Sequence, residues 1–185
     1  MPAILALVCI GVAVGLLARL HLVPTGLNPV RDAVSDYGTT ERHWSYRVMA
    51  AALGVGAALL AVALGQRTDA KALYWLYIFA ASRIAIAEFM TDAGPDEVTI
   101  EGRIHWLLAA VAFTSIAFAA SDISWSGDPG ALRPLGYAVA ASAVATLLTR
   151  MIPPGRVVFG LAERLLYVTM IAWLVTAAVD VLGRY

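Results

Sequence analysis

The hydrophobic residues of this chain fall into six long runs that are separated by polar stretches. Each run is close to the roughly 20 residues that an α-helix needs to cross the hydrocarbon core of a membrane. None shows the alternation of polar and apolar positions that the strands of a membrane barrel require. The pattern predicts an all-α, polytopic membrane protein, a bundle of six transmembrane helices forming a single domain, 1–185. The predicted helices cover about 3–20, 46–65, 71–91, 104–121, 132–150 and 157–182.

Composition agrees with this class. Of the 185 residues, 61% are hydrophobic and 14% are charged, whereas soluble domains have roughly 45–50% and about 25%. Basic and acidic residues balance at 13 each, so no basic surface is expected and nucleic acid is excluded as a partner. Cys9 is the only cysteine and predicts no intramolecular disulfide. The first run lacks a basic leader and a small-residue cleavage site, so we expect a retained helix rather than a signal peptide.

Small residues recur at four-residue spacing in three of the runs. Such spacing lets helix backbones approach closely within a membrane. Because six helices have much surface to pack within one chain, we expect these residues to serve the bundle, and a monomer is favoured over a dimer. The pairs are Gly11 and Gly15, Gly54 and Ala58, and Gly136 and Ala140.

Six spans place both termini on one side of the membrane. The other side, which we call the loop face, carries three connections, about 21–45, 92–103 and 151–156. Lys and Arg number four near the terminal side and eight near the loop face, so the loop face is predicted to be cytoplasmic. The four are Arg67, Lys71, Arg133 and Arg184, and the eight are Arg19, Arg31, Arg42, Arg47, Arg103, Arg150, Arg156 and Arg164.

The first connection, 21–45, is the longest polar stretch of the chain. Proline and glycine interrupt it in a way that is typical of turns. The tetrad Ser35–Gly38 adds side chains that bond to nearby backbone amides. Two interpretations follow: a folded cap over the helix ends, or a segment whose Ser35 or Asp36 faces the mouth of the bundle and contacts a ligand.

Arg83 is the most costly residue of the predicted spans. It lies nine residues before Asp92, or roughly 13 Å below the loop face at 1.5 Å per residue. An arginine at such depth costs from about 2.5 kcal/mol upward unless it is paired or hydrated. Glu88 lies about 140° away around the same helix, so the expected partner is Glu163 or a polar ligand. A structural ion pair and an arginine poised for an anionic group both remain open.

Candidate chemistry at the loop face includes catalysis and metal binding. His105, at the start of the fourth helix, could act as a base in a serine-hydrolase arrangement with Ser35 and either Asp36 or Asp92, although no GxSxG elbow supports a hydrolase. His43, His105, Asp36 and Asp92 could form a zinc centre only if the fold converged them, because their spacing does not demand one. We therefore predict no metal and no cofactor.

Four segments carry a family resemblance. They are LNPVRDAVSDYG, ASRIAIAEFMTDAGPDE, GRIHWLLAAVAF and GLAERLLYVTMIAWL. Together they resemble the family named domain of unknown function 998, over nearly the whole chain. The resemblance implies a mainly bacterial integral membrane protein with six helices, a long first loop and no established activity, which we expect in the bacterial cytoplasmic membrane. The SDxG element is also similar to membrane proteins of the Frag1/DRAM type, and alkaline ceramidases combine Ser, Asp and His at one face, but this chain lacks their HxxxH helix.

These observations predict a polar Arg/Asp/His site at the loop face that binds a membrane lipid, namely an anionic lipid or a lipid-linked head group. Arg83 would be the deep cationic contact. The mouth and its orienting groups would be Arg31, Arg103, Arg164, Asp36, Tyr37 and Glu163. The alternatives are a membrane-embedded lipid hydrolase, with His105 as base or a metal at His43, His105 and Asp92, and a small permease or accessory subunit locked by an Arg83–Glu163 pair.

Overall fold

The structure is a computed structural model that describes residues 1–65, 68–92, 98–125 and 130–183. Within these ranges it contains six α-helices and two short 3-10 helices, Ser35–Thr39 and Pro153–Val158, and no strand. The α-helices are α1 (Pro2–Leu22), α2 (His43–Leu64), α3 (Ala70–Ile86), α4 (Ile100–Trp125), α5 (Leu132–Met151) and α6 (Phe159–Gly183). The prediction of an all-α, six-helix chain is confirmed.

Five of the six helices are long and apolar enough to cross a membrane. The spans are Pro2–Leu22, His43–Leu64, Ile100–Ile123, Leu132–Met151 and Gly155–Gly183. The chain is therefore a multi-pass membrane protein.

Helix α3 is shorter than predicted, with 17 residues that end at Ile86 rather than near 91. The helix ends in a tighter, 3-10-like turn, since the N–H groups of Ala87 and Glu88 donate to the carbonyls of Ile84 and Ala85, three residues earlier in the chain. The carbonyl of Ala87 accepts a hydrogen bond from Arg47 Nε at 2.5 Å and so is engaged outside the helix. Arg83 consequently lies in the last turn of α3, nearer to the loop face than the sequence suggested.

Each helix packs against its neighbours in chain order, and α6 also packs against α1 and α2, which closes the bundle. Gly54 brings α2 close to α3: a Cβ atom there would lie 2.7 Å from the carbonyl oxygen of Ala80. The expectation for α1 is wrong, because Gly11 and Gly15 are exposed and a Cβ on either would meet nothing within 4 Å. Helix α1 lies at the edge of the bundle and turns the opposite face inward, with Ala3, Ala6, Ile10 and Ala13 buried.

Exposed aromatic residues mark the membrane surface near the loop face. Trp44 and Trp106 are exposed large side chains close to the N-terminal ends of α2 and α4. Tryptophan favours the boundary between acyl chains and head groups. Trp44 and Trp106 therefore lie at helix ends where tryptophan is favoured in membrane proteins.

The first connection forms a folded cap, which we call the cap segment, 23–42. Its backbone pairs with the start of α6: Leu161 N–H donates to the carbonyl of Val30 at 3.1 Å, and Val34 N–H donates to Glu163 Oε2 at 2.6 Å. Gly160 is buried beneath it, since a Cβ there would lie 2.9 Å from the carbonyl oxygen of Pro29.

Side-chain bonds stabilise the turns of the cap segment, as expected for the polar residues there. Asp32 accepts a hydrogen bond from Asn28 N–H at 2.6 Å, and Asp36 accepts one from Ala33 N–H at 2.8 Å. The long first loop is therefore ordered and covers the helix ends.

Candidate functional site

Three ionisable side chains are buried together near the loop-face end of the bundle. Arg83 of α3 is 1% exposed, and Glu163 of α6 and His105 of α4 are each 4% exposed. They come from helices that are distant in sequence, and Arg83 interacts electrostatically with Glu163 and with His105. Buried charges are expensive unless they are paired, so the partners of each group decide what the cluster can do.

The guanidinium of Arg83 has few partners for a buried cation. Its Nη2 donates to the hydroxyl of Tyr167 at 2.8 Å, and its Cζ lies 5.3 Å from the centroid of the Tyr167 ring. Its Nε has no hydrogen-bond partner. Among the described residues, the carboxylate ion pairs are Arg47–Glu88 and Lys71–Asp122, so no described carboxylate lies within 4.0 Å of Arg83.

Glu163 is engaged by the cap segment instead. Its Oε2 accepts the hydrogen bond from Val34 N–H, while the contact of Arg83 on α6 is Tyr167, one turn further along. The direct Arg83–Glu163 ion pair that the sequence suggested is therefore not formed.

Two buried tyrosines complete the cluster, and sequence reasoning assigned neither to it. Tyr167 lies four residues after Glu163 and so shares its helix face. That spacing could have placed Tyr167 near the cluster, but it could not have shown the hydrogen bond to Arg83. Tyr46 of α2 is buried and interacts electrostatically with Arg83 and Glu163. Nothing in the local pattern around Tyr46 marked it.

Arg164 is the second cation at the loop face, and it ties three elements together. Its Nε donates to His21 Nε2 at 2.8 Å and its Nη1 to the carbonyls of Asp32 at 2.7 Å and Gly160 at 3.0 Å. Its Nη2 lies 3.4 Å from Tyr37 Oη. Arg164 therefore clamps α1 and the cap segment onto α6, and every one of these partners is uncharged or a backbone carbonyl.

A cleft opens beside this clamp, and we call it the interfacial cleft. It has a volume of about 300 Å³ and is lined by His21, by 22–27, by Pro29 and by Tyr37. His21 and Tyr37 thus form the wall between the cleft and the guanidinium of Arg164.

Residues 6–180 match the family described as "Protein of unknown function (DUF998)". The chain belongs to this family. No curated protein and no solved structure matches it. The resemblance noted from the sequence is confirmed, and the family itself supplies no ligand and no reaction for the DUF998 fold.

The remaining predicted residues of this DUF998 protein lie outside the buried cluster. Arg31 and Arg103, expected at the mouth, are exposed, and Ser35 is half-buried. His43 Nδ1 lies 3.3 Å from the carbonyl of Thr40. Asp92 Oδ1 accepts hydrogen bonds from the backbone and hydroxyl groups of Thr99.

Catalytic and metal sites gain no support from the described residues. His105 Nδ1 lies 2.8 Å from the carbonyl of Phe89, and no hydrogen bond within the described ranges joins Ser35 or Asp36 to His105. In the same ranges, no three His, Cys, Asp or Glu side chains are placed to hold a metal ion. His43, His105, Asp36 and Asp92 are therefore not brought together as a zinc centre would need.

Asp36 lies in the cap segment, where burial sets its protonation. Burial raises the pKa of the Asp36 carboxyl above its usual value of 3.8, because desolvation disfavours the charged form. The hydrogen bond from Ala33 N–H and the charges of Arg150 and Arg164 oppose this shift, while Asp32 adds to it. The cap segment thus contains a carboxyl that its own fold disfavours as an anion.

Proposed function

We propose that this DUF998 protein binds an anionic amphiphile, a lipid or a lipid-linked head group, within the bundle near the loop face, with Arg83 as its cationic contact. One observation carries the proposal. The buried guanidinium has an Nε without a hydrogen-bond partner and no described carboxylate within ion-pairing distance.

The physical argument rests on what an arginine requires. A guanidinium presents five N–H donors in a planar fork that suits phosphate and carboxylate oxygens. The protein gives Arg83 one phenol hydroxyl and one ring face, and Glu163 is engaged by Val34. An ionisable residue within a membrane protein marks a functional site by default, and the open Nε–H of Arg83 suits an acceptor oxygen of a ligand.

The surroundings favour an amphiphile over a soluble anion. Arg83 lies one turn from the end of α3, close to the head-group level that the exposed Trp44 and Trp106 mark. The outer helix faces are apolar and suit acyl chains. The cytoplasmic orientation of the loop face is part of the same proposal and rests on the excess of basic residues there.

The test is native mass spectrometry of the full chain released from a mild detergent. We expect a stoichiometric lipid adduct on the wild type and its weakening by about 10–100-fold in Arg83→Met, which is the range for one charge-assisted hydrogen bond. Arg19→Met is the matched control, because Arg19 is exposed at the loop-face end of α1 and its loss changes the net charge equally.

A second variant separates binding from folding. Arg83→Lys keeps the positive charge but lacks the Nε donor and the planar fork, so we expect a folded protein with weakened lipid retention. Folding is checked by thermal unfolding in the same detergent. A wild type without any adduct, or a folded Arg83→Met that retains it fully, contradicts the proposal.

A further inference from the structure

The interfacial cleft offers hydrogen-bond donors and no carboxylate. Tyr37 Oη accepts from Arg164, and its own hydroxyl hydrogen has no acceptor among the described residues. The hydroxyl of Thr25 and the N–H groups of Thr25, Gly26 and Leu27 also donate to no described group. Gly26, with φ of 77°, adopts a left-handed conformation that favours glycine. A cleft of this kind suits an occupant that is rich in acceptors.

The charge behind the cleft has the complementary sign. Arg164 reaches both polar walls, His21 at 2.8 Å and Tyr37 at 3.4 Å, and it has no described carboxylate within 4.0 Å. His21 holds the guanidinium in place through Nε2, and its Nδ1 bonds to the carbonyl of Leu17 at 2.8 Å. Arg164 interacts electrostatically with the carboxyl groups of Asp36 and Glu163 but contacts neither directly, so its guanidinium can attract an anion in the cleft.

The apolar side of the cleft identifies the kind of anion. Leu22, Val23 and Leu27 line it together with the polar groups, and Leu22, at the end of α1, is 83% exposed. Because α1 is long and apolar enough to span a membrane, its end is expected where acyl chains meet head groups. A ligand with a cluster of anionic oxygens and an adjoining acyl chain would place the oxygens against the polar residues of the cleft and the acyl chain against its apolar residues.

We propose that the interfacial cleft binds the phosphate group of a membrane phospholipid, as a second site that is independent of Arg83. Tyr37 and Thr25 donate to the phosphate oxygens, Arg164 supplies the positive field, and the Leu22 side contacts the acyl chain. Since the cleft lies at the edge of the cap segment, a bound lipid also joins α1 to the cap.

The experiment titrates the delipidated full chain with phosphatidylglycerol and resolves successive adducts by native mass spectrometry. We expect two adducts on the wild type. The double variant Tyr37→Phe/Thr25→Val removes two hydroxyls with little change of shape and should weaken one adduct by about tenfold, roughly the effect of two neutral hydrogen bonds. Tyr77→Phe is the control, because Tyr77 is exposed on α3.

The two sites are separated by their variants. Arg83→Met should leave the adduct of the cleft unchanged, so the loss of both adducts in that variant overturns the independence of the site. Equal titration curves for the wild type and the double variant overturn the cleft assignment and leave the proposal for Arg83 standing. Inorganic phosphate that competes as well as phosphatidylglycerol overturns the lipid assignment, because the acyl chain then contributes nothing.

Discussion

The charged groups at the surface of the molecule and those inside it are arranged in opposite ways. Arg47 and Glu88 meet directly at 2.7 Å, with the Glu88 side chain 73% exposed. Arg83 and Glu163 are buried near the same face, yet each bonds to a neutral group, Tyr167 and the amide of Val34. The attraction between opposite charges grows as the dielectric falls, so direct contact would be expected inside rather than outside.

The difference shows that the positions of Arg83 and Glu163 are not set by an ion pair between them. Each buried group is held by an element that closes the bundle: Glu163 by the cap segment, Arg83 by α6. Arg164 follows the same pattern, with four contacts and no described carboxylate among them. Arg83 thus keeps an Nε donor without a partner, and Arg164 keeps a positive charge without a described carboxylate in direct contact. These two features are the shared basis of the proposed lipid sites.

The largest effect is expected at Glu163. Glu163→Leu leaves the buried Val34 N–H without an acceptor and removes the carboxyl group near Arg83, which should cost about 1–3 kcal/mol for the lost acceptor alone. Glu163→Gln keeps an acceptor at the same position and should cost less. The measurement is the free energy of unfolding in mixed micelles, together with hydrogen exchange at Val34.

The difference in stability between Glu163→Leu and Glu163→Gln shows which interaction of Glu163 matters more, its bond to Val34 or its proximity to Arg83. If the hydrogen bond to the cap segment is the main role of Glu163, Val34 exchanges faster in the Leu variant than in the Gln variant. Equal destabilisation by Gln and Leu would show instead that the interaction of the carboxyl group with Arg83 matters more than its bond to Val34, and would contradict the interior arrangement described above.

A smaller, pH-dependent effect is expected at Asp36. Its raised pKa means that the folded state binds the proton more tightly than the unfolded state. The stability that this contributes is fully present below the usual pKa of 3.8 and is lost as the pH rises through the folded-state value. Asp36→Asn does not titrate and keeps an acceptor for Ala33 N–H.

Thermal unfolding of the wild type and Asp36→Asn across pH 3 to 8, about the range of carboxyl titration, measures this. The wild type should lose stability relative to the variant as the pH rises through the folded-state pKa, so the variant gains its advantage at neutral pH. Parallel curves over that range would show that the carboxyl is as well solvated in the cap as in the unfolded chain.

The sequence predicted the six helices because the thickness of the hydrocarbon core fixes the length of an apolar run. It overestimated α3 because the carbonyl of Ala87 is engaged by Arg47, a residue 40 positions away, and such a contact leaves no mark on the local pattern. It misplaced Gly11 and Gly15 because spacing shows that two residues share a face but not which face turns inward.

The candidate site was predicted only in part, because the sequence pattern shows which residues are unusual but not which residues they contact. Arg83 could be identified because charges are rare in apolar segments, and Glu163 was named as a candidate partner for it. Their partners could not, since Glu163 and Tyr167 lie on one face of α6 and only the depth of packing decides which of them meets Arg83. A folded cap was one of the two interpretations of the first connection, but the contact between Arg164 and His21 joins residues 143 positions apart and follows from tertiary structure alone.

The smallest effect is expected at the surface ion pair of Arg47 and Glu88. It tests whether direct pairing at the surface contributes as little energy as the comparison with the buried charges assumes. A double-mutant cycle of Arg47→Met and Glu88→Gln should give a coupling of about 0.2–1 kcal/mol, because an exposed ion pair is screened and gains little. Arg47→Met alone should cost more than this coupling, because Arg47 also bonds to the Ala87 carbonyl and lies over the ring of Trp44. Arg47→Lys, which keeps the charge but loses Nε, distinguishes these contributions. A coupling above about 2 kcal/mol would exceed what exposed pairs provide, and the contrast with the separated buried charges would then lose its energetic basis.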